Sequence, residues 1–409
     1  MANNNVVDIP KRNQRTSRRD LPFDCVALLL QGGGALGAYQ AGVYQALDEA
    51  GIELNWVAGI SIGAVNAAII AGNPPELRIP RLREFWELVT TDAYRHYLVA
   101  FKPLFTRSDS EQQVLNMMSA LHTLTQGVRG FFQPRLLTPW FAEKGTIHAT
   151  SFYDTEHLQS TLERLVDFDR LNNGDIRFNV GAVHVESGNF ISFDSKLGEI
   201  RPEHIMASGA LPPGLPPVEI DGEFFWDGGL ISNTPLQWLV EDKFYQDTLV
   251  FQVDLWSARG EFPQNMAEVL TRQKDIQYSS RTRANTDRFR EQHKLRHTIA
   301  RLLKKLPAEL RELPEVQQLS KEADTNVYNI VHLIYHNTDY EGYSKDFEFS
   351  RLGMEAHWRK GYDDTLKTLS NPLVLERPHN HEGIAIFDLY KKKHTPEMAT
   401  TTRQQKQNA

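Results

Sequence analysis

Five apolar residues, Val26-Ala27-Leu28-Leu29-Leu30, run straight into Gly32-Gly33-Gly34. A second run, Leu54 to Ile60, ends in Gly59-Ile60-Ser61-Ile62-Gly63. Runs this short and this apolar read as buried parallel strands. Each is followed by a helical stretch of small residues. Behind the glycines, Ala38, Ala41, Gly42, Val43, Ala46 and Leu47 share one face, and Gly51 stops the helix. Behind Ser61, IGAVNAAIIAG reads as a helix stopped by Asn73-Pro74-Pro75. Strand, loop, helix, strand, turn, helix within the first 75 residues predicts an α/β fold, with helices covering a mainly parallel sheet.

The chain has 409 residues, with 41% hydrophobic and 24% charged, enough for a sizeable core. Its formal net charge of −7 argues against a dedicated nucleic-acid binder. The single cysteine, Cys25, excludes an internal disulfide framework and a Cys-rich metal site. The first 22 residues have no apolar leader, and no run reaches the ~18 apolar residues of a membrane span. A soluble cytoplasmic protein is the expectation.

Residues 1–22 read as a disordered basic tail and 393–409 as a frayed polar end. Residues 76–150 read as an irregular, mainly helical insert. Its aromatic residues Phe101, Phe105, Phe131, Phe132, Trp140 and Phe141 suit either a lid or a packed cap over an apolar cleft. Strand-like runs return at 178–185, 190–193 and 248–255, around the Pro- and Gly-punctuated ASGALPPGLPPVEIDGEFFWDGGLISNTP. A domain over 23–256 is followed by an α-rich C-terminal extension, 257–392. Within it, 326–336 reads as a strand and 354–369 as a helix. Residues 281–305 hold nine Arg or Lys against two acids, with Leu295, Ile299, Leu302 and Leu306 on one helical face. That helix suits a peripheral contact with an anionic membrane, a solvated face or a dimer contact.

Three motifs carry the candidate chemistry. Ser61 lies in a G-x-S-x-G elbow between a strand and a helix, with Gly59 and Gly63 giving the room that crossing needs. The plainer alternative is a tight turn with Ser61 as N-cap. Gly32, Gly33 and Gly34 leave backbone N–H groups at a helix N-terminus, the arrangement of an oxyanion hole. Gly32-x-Gly34-x-x-Gly37 also fits a dinucleotide loop, though Glu53 stands at the start of the next strand rather than its end. A serine nucleophile needs a base, and His332, His336, His379 and His381 carry no local signature of one. Asp227, in Trp226-Asp227-Gly228-Gly229, is the better candidate, a β-turn aspartate being its plainer reading.

Together QGGGALG (31–37), GISIG (59–63) and DGG (227–229), in that order, resemble the patatin-like phospholipases. The likeness covers about residues 24–255, and GAYQAGVYQAL is similar to bacterial members. It implies a three-layer α/β/α domain and a Ser61–Asp227 dyad without histidine. Gly32, Gly33 and Gly34 would line the oxyanion hole, with Gly37, Gly59, Gly63, Gly228 and Gly229 completing the motifs. It implies no cofactor and no metal. The substrate would be a lipid or other acyl ester. Ala35 and Leu36 stand where many members carry Arg or Lys, and Gln31 where some carry Asp. The missing cation keeps polyhydroxyalkanoate or acyl thioester open as substrates. A nucleotide-binding protein is the rival from another class.

Overall fold

The computed structural model describes residues 20–90, 109–234, 236, 238, 246–279, 282–336, 341–380 and 382–388. The basic tail up to residue 19, Phe101 and Phe105 of the insert, Arg281, His381 and the polar end lie outside them.

The first apolar run is β1 (Cys25–Leu30), and all six of its residues are buried. It is sandwiched in parallel between β2 (Trp56–Gly59) and a later strand, Thr248–Asp254. A strand covered on both faces has no solvent side, so its sequence is apolar throughout rather than alternating. Val26, Leu28 and Leu30 face one core with Tyr39, Val43, Val65 and Trp358. Cys25, Ala27 and Leu29 face another with Trp238 and Phe289. Cores on both faces give the three α/β/α layers that were expected.

The remaining strands follow in order. β3 (Gln133–Pro134) and β4 (Tyr153–Asp154) form a short separate ladder. β5 (Arg177–His184), β6 (Phe190–Asp194), β7 (Val218–Ile220), β8 (Glu223–Asp227), β9 (Thr248–Asp254), β10 (Tyr328–Ile334) and β11 (Ile384–Asp388) join the main sheet. Its order is β11-β10-β9-β1-β2-β5-β8-β7, with β6 also on β5. The five ladders from β11 to β5 are parallel, and those of β6, β7 and β8 are antiparallel.

Two features differ from the sequence expectation. The punctuated segment holds the hairpin β7–β8, turned by Asp221 and Gly222, both at positive φ. Asp-Gly is the pair such a two-residue turn favours. The C-terminal region is also not appended to the sheet. It continues it, through β10 and β11, while the helix Arg351–Leu369 packs on the helix Ala38–Glu49. Those two helices meet backbone to backbone, because a side chain at Gly42 would collide with the Trp358 carbonyl and one at Gly361 with that of Tyr39. The helix Thr282–Leu303 buries Phe289, His293 and Ala300. Leu295 and Leu302 are exposed there, since β-sheet contact selects the stripe half a turn away.

Candidate active site

β5 brings the two candidate catalytic side chains together. On one side it pairs β6 along its length. On the other it pairs first β2, ending at Gly59 opposite Val180, and then β8, ending at Asp227 opposite Ala182. β2 runs parallel to β5 and β8 antiparallel, so the two strands end tip to tip. The serine leaves one tip and the aspartate stands at the other.

Ser61 sits at φ 56°, ψ −126°, between β2 and the helix Ile62–Ala71. Positive φ is costly for a residue with a Cβ and is kept where the surroundings enforce it. The neighbours do so here. A side chain at Gly59 would collide with the Gly63 carbonyl, and one at Gly63 with that of Leu30. The Ser61 N–H donates to the hydroxyl of buried Ser208 at 2.9 Å. Gly37 packs on Ile62 and Gly228 on Gly181, so those two glycines serve close packing of the elbow and the β8 end.

Asp227 is buried, and its Oδ1 accepts the Gly229 N–H at 2.7 Å. The Ser61 side chain stands beside this carboxylate and lines the same cavity. Burial pushes its pKa up to about 7, against the pull of the Gly229 N–H and the nearby Ser61 side chain. Among the described residues no histidine lines the cavity around Ser61. His332 lies beside Asp254, and His336 Nδ1 beside the Ile334 carbonyl.

The glycine loop divides into one committed and two uncommitted amides. The Gly32 N–H donates to Asn233 Oδ1 at 3.0 Å, while Asn233 Nδ2 donates back to the Gly32 carbonyl at 3.0 Å. Gly32 therefore lines the cavity with its N–H already given to Asn233. The Gly33 and Gly34 N–H groups donate to no described group, and both residues line the same cavity. Gly34 holds φ 55°. Gln31 is fully buried and accepts the N–H groups of Leu255 (2.6 Å) and Trp256 (3.1 Å). The amide at position 31 thereby ties β1 to the end of β9.

The cavity measures about 280 Å³. Gly32–Gly34, Ser61, Asp227 and Asn233 form its polar floor, and Leu124, Phe131, Phe132, Leu211, Leu215 and Phe349 supply apolar walls. The insert thus contributes Phe131 and Phe132, while Trp140 and Phe141 are exposed. Glu53 is exposed and does not line the cavity, so it is not placed to meet a dinucleotide ribose there. Among the described residues no cluster of His, Cys, Asp and Glu could hold a metal ion. Such a site can bind an acyl chain beside a serine, a buried carboxylate and two free amides. Sequence reasoning missed Asn233 and Ser208, whose only signal is their place in ISNTP and IMASGAL.

A profile described as patatin-like phospholipase matches residues 28–240, and one described as patatin phospholipase matches 276–381. Lysophospholipase NTE1 of Yarrowia lipolytica is 23% identical over 254 residues, 62% of this chain and 14% of that protein. Patatin-like phospholipase domain-containing protein 7 of Rattus norvegicus is 44% identical over 64 residues, 15% of this chain and 5% of that protein. The chain therefore spans a small part of the length of these relatives. Among solved structures, VipD from Legionella pneumophila aligns over 93% of this chain and 77% of its own, at 15% identity and a TM-score of 0.39.

Proposed function

The chain belongs to the patatin-like phospholipase family, a family of carboxylic ester hydrolases, and from that premise we propose that it is a lipid acyl hydrolase working through a Ser61–Asp227 dyad. The observation that carries this is Ser61, held in a strained elbow, sharing one cavity with a buried Asp227 whose pKa stands near 7. A carboxylate is ordinarily a poor base for an alcohol because their pKa values lie far apart. Burial narrows that gap.

In the proposed reaction Ser61 Oγ attacks the ester carbonyl carbon while its proton passes to Asp227. The oxyanion accepts from Gly33 and Gly34 N–H. Collapse breaks the bond to the alcohol, which leaves with the proton from Asp227. Water then attacks the acyl-serine, giving its proton to Asp227, and Ser61 recovers a proton as the fatty acid departs. Nothing in the scheme calls for a metal or cofactor.

The apolar walls support a fatty-acyl chain as the group bound. Polyhydroxyalkanoate or acyl thioester remain alternatives for the same dyad, and short hydroxyacyl units would leave those walls unfilled. The placement in a bacterial branch rests on GAYQAGVYQAL and on the likeness of about residues 258–390 to a C-terminal extension of uncharacterised role found in one bacterial branch. No described helix is long and apolar enough to cross a membrane. We place the protein in the cytoplasm on its single buried cysteine, with peripheral contact to anionic lipid. Leu295 and Leu302 are exposed on the basic helix for that contact, but Arg290 and Lys294 pair with Glu382, and Arg296 with Glu322. Met117, Leu121 and Leu124 of the helix Asp109–Gln126 are also exposed, and Leu124 reaches the cavity. Sedimentation with anionic but not neutral vesicles, weakened by salt, is the expected result.

The deciding experiment is hydrolysis of p-nitrophenyl esters over a series of acyl lengths, by wild type and Ser61→Ala. Activity on long chains that vanishes in the variant supports the reading. An optimum at short hydroxyacyl units moves the substrate to the polyester. Wild type inactive on every ester, with nucleotide binding indifferent to Ser61, would favour the nucleotide rival.

A further inference from the structure

Asn233 holds one arm of the glycine loop, and the residues that hold the other come from the C-terminal region, outside the span of the 28–240 family match. The Ala35 N–H donates to the Asp346 backbone carbonyl at 2.7 Å. That carbonyl lies so close to Gly34 that any side chain there would collide with it. Asp346 is held in turn. Its Oδ1 is 2.5 Å from Lys274 Nζ, and Lys274 Nζ also donates to the Tyr343 carbonyl at 3.2 Å. The neighbouring residues make a second ion pair with the charges reversed, Asp275 to Lys345 at 2.5 Å. Lys274-Asp275 on the helix Met266–Tyr278 is thus matched to Lys345-Asp346 on the segment that precedes the helix Arg351–Leu369. Lys274 lies 4.4 Å from the Tyr343 ring centre and 4.9 Å from that of Phe347, and Lys345 lies 4.8 Å from that of Trp256.

The same helix reaches the loop's other arm. The Tyr278 carbonyl accepts Asn233 Nδ2 at 3.0 Å and Gln31 Nε2 at 3.2 Å. Asp346, Phe347, Phe349 and Tyr278 then line the cavity beside Ser61. Ion pairs with this little exposure cost desolvation and are weak sources of stability, but they fix a geometry. Two crossed pairs fix it in register and direction.

We infer that Asp346 and Lys274 are positioning residues for the oxyanion hole: they seat the Asp346 carbonyl against Ala35 and so keep the N–H groups of Gly33 and Gly34 facing the cavity. The C-terminal region is then a working part of the active site. The inference rests on the serine-hydrolase reading.

The test uses the full chain with Asp346→Asn, Lys274→Gln and Lys274→Arg. Three readouts are compared: p-nitrophenyl ester kinetics, inhibition by a trifluoromethyl ketone of matched chain length, and amide exchange of the peptide spanning 31–37. The ketone forms a tetrahedral adduct on the serine, so its affinity follows oxyanion stabilisation. Both charge-removing variants are expected to lose about 10–100-fold in kcat with KM within about twofold. Ketone affinity should fall by a similar factor, exchange at 31–37 should quicken, and the pH midpoint set by Asp227 should stay. Lys274→Arg should recover most of the loss. Wild-type kcat in folded Asp346→Asn and Lys274→Gln overturns the inference, as does a rise in KM alone, which a mere pocket wall would give. Should one variant fail to fold, the other decides. Should wild type hydrolyse no ester, the hydrolase reading fails, and unchanged exchange at 31–37 would then sink this inference separately.

Discussion

Gly59 and Asp227 stand on the same side of β5, opposite Val180 and Ala182, at the facing tips of two strands that run toward each other. Residues two positions apart along a strand are about 6.6 Å apart. One strand is therefore the ruler that sets serine against aspartate. Any disturbance of β5 in this stretch should affect the dyad before it affects the rest of the sheet.

Asp227→Asn should lower kcat by about 10³-fold or more, since Asn cannot take the serine proton. The helical and sheet signature in far-UV circular dichroism should stay unchanged. Full turnover in this variant would falsify the dyad.

The pH dependence follows from the raised pKa. Only the ionised carboxylate is a base, so log kcat/KM should climb with unit slope below about pH 7 and level off above it. A profile flat from pH 5 to 8 would assign the proton to another group.

Stability should move the other way. Between the ordinary carboxylate value of 3.8 and about 7, the folded chain holds a proton on Asp227 that the unfolded chain has released. Stability therefore falls as pH rises through that window. Asp227→Asn lacks this loss, so its Tm should exceed that of wild type at pH 8, by on the order of a few degrees. The gap should shrink by pH 5. Calorimetry at the two pH values reads it, and a gap that widens toward acid refutes the burial argument.

Asn233→Leu keeps the side-chain bulk and removes three hydrogen bonds, two to Gly32 and one to the Tyr278 carbonyl. The expected result is a kcat loss of about 10–100-fold with KM little changed. A rise in KM with kcat intact would instead make Asn233 a substrate contact.

Leu215→Trp fills part of the apolar wall. The acyl-length optimum should shift to shorter chains, with activity on acetyl esters within about threefold of wild type. An unchanged optimum would show that the chain leaves the cavity by another side.

Several features were legible in sequence because local chemistry decides them. The apolar runs at 26–30 and 54–60 and the glycines at 59 and 63 have only one comfortable arrangement, a buried strand turning sharply into a helix. Asp227 stands out in sequence by its glycines and by the resemblance, and its pairing opposite Ala182 at the end of β8 is seen only in the structure. The Asp221-Gly222 turn that makes β8 a hairpin strand was itself readable, and the prolines around it hid the signal.

What remained hidden depends on contacts between distant segments. Nothing near Asn233 in the chain tells that its amide would take the Gly32 N–H, some two hundred residues away. The reversed charges of Lys274-Asp275 and Lys345-Asp346 are ordinary surface residues in a sequence and a lock only once paired. The C-terminal region read as an addition because its strands are separated by long helices, while β10 and β11 in fact extend the sheet. By itself the sequence determined the elbow and the class of sheet, through φ/ψ and hydrophobic period. Only the tertiary structure decided which amides stay free and how far Asp227 is desolvated, because burial and hydrogen-bond competition are properties of the packed chain.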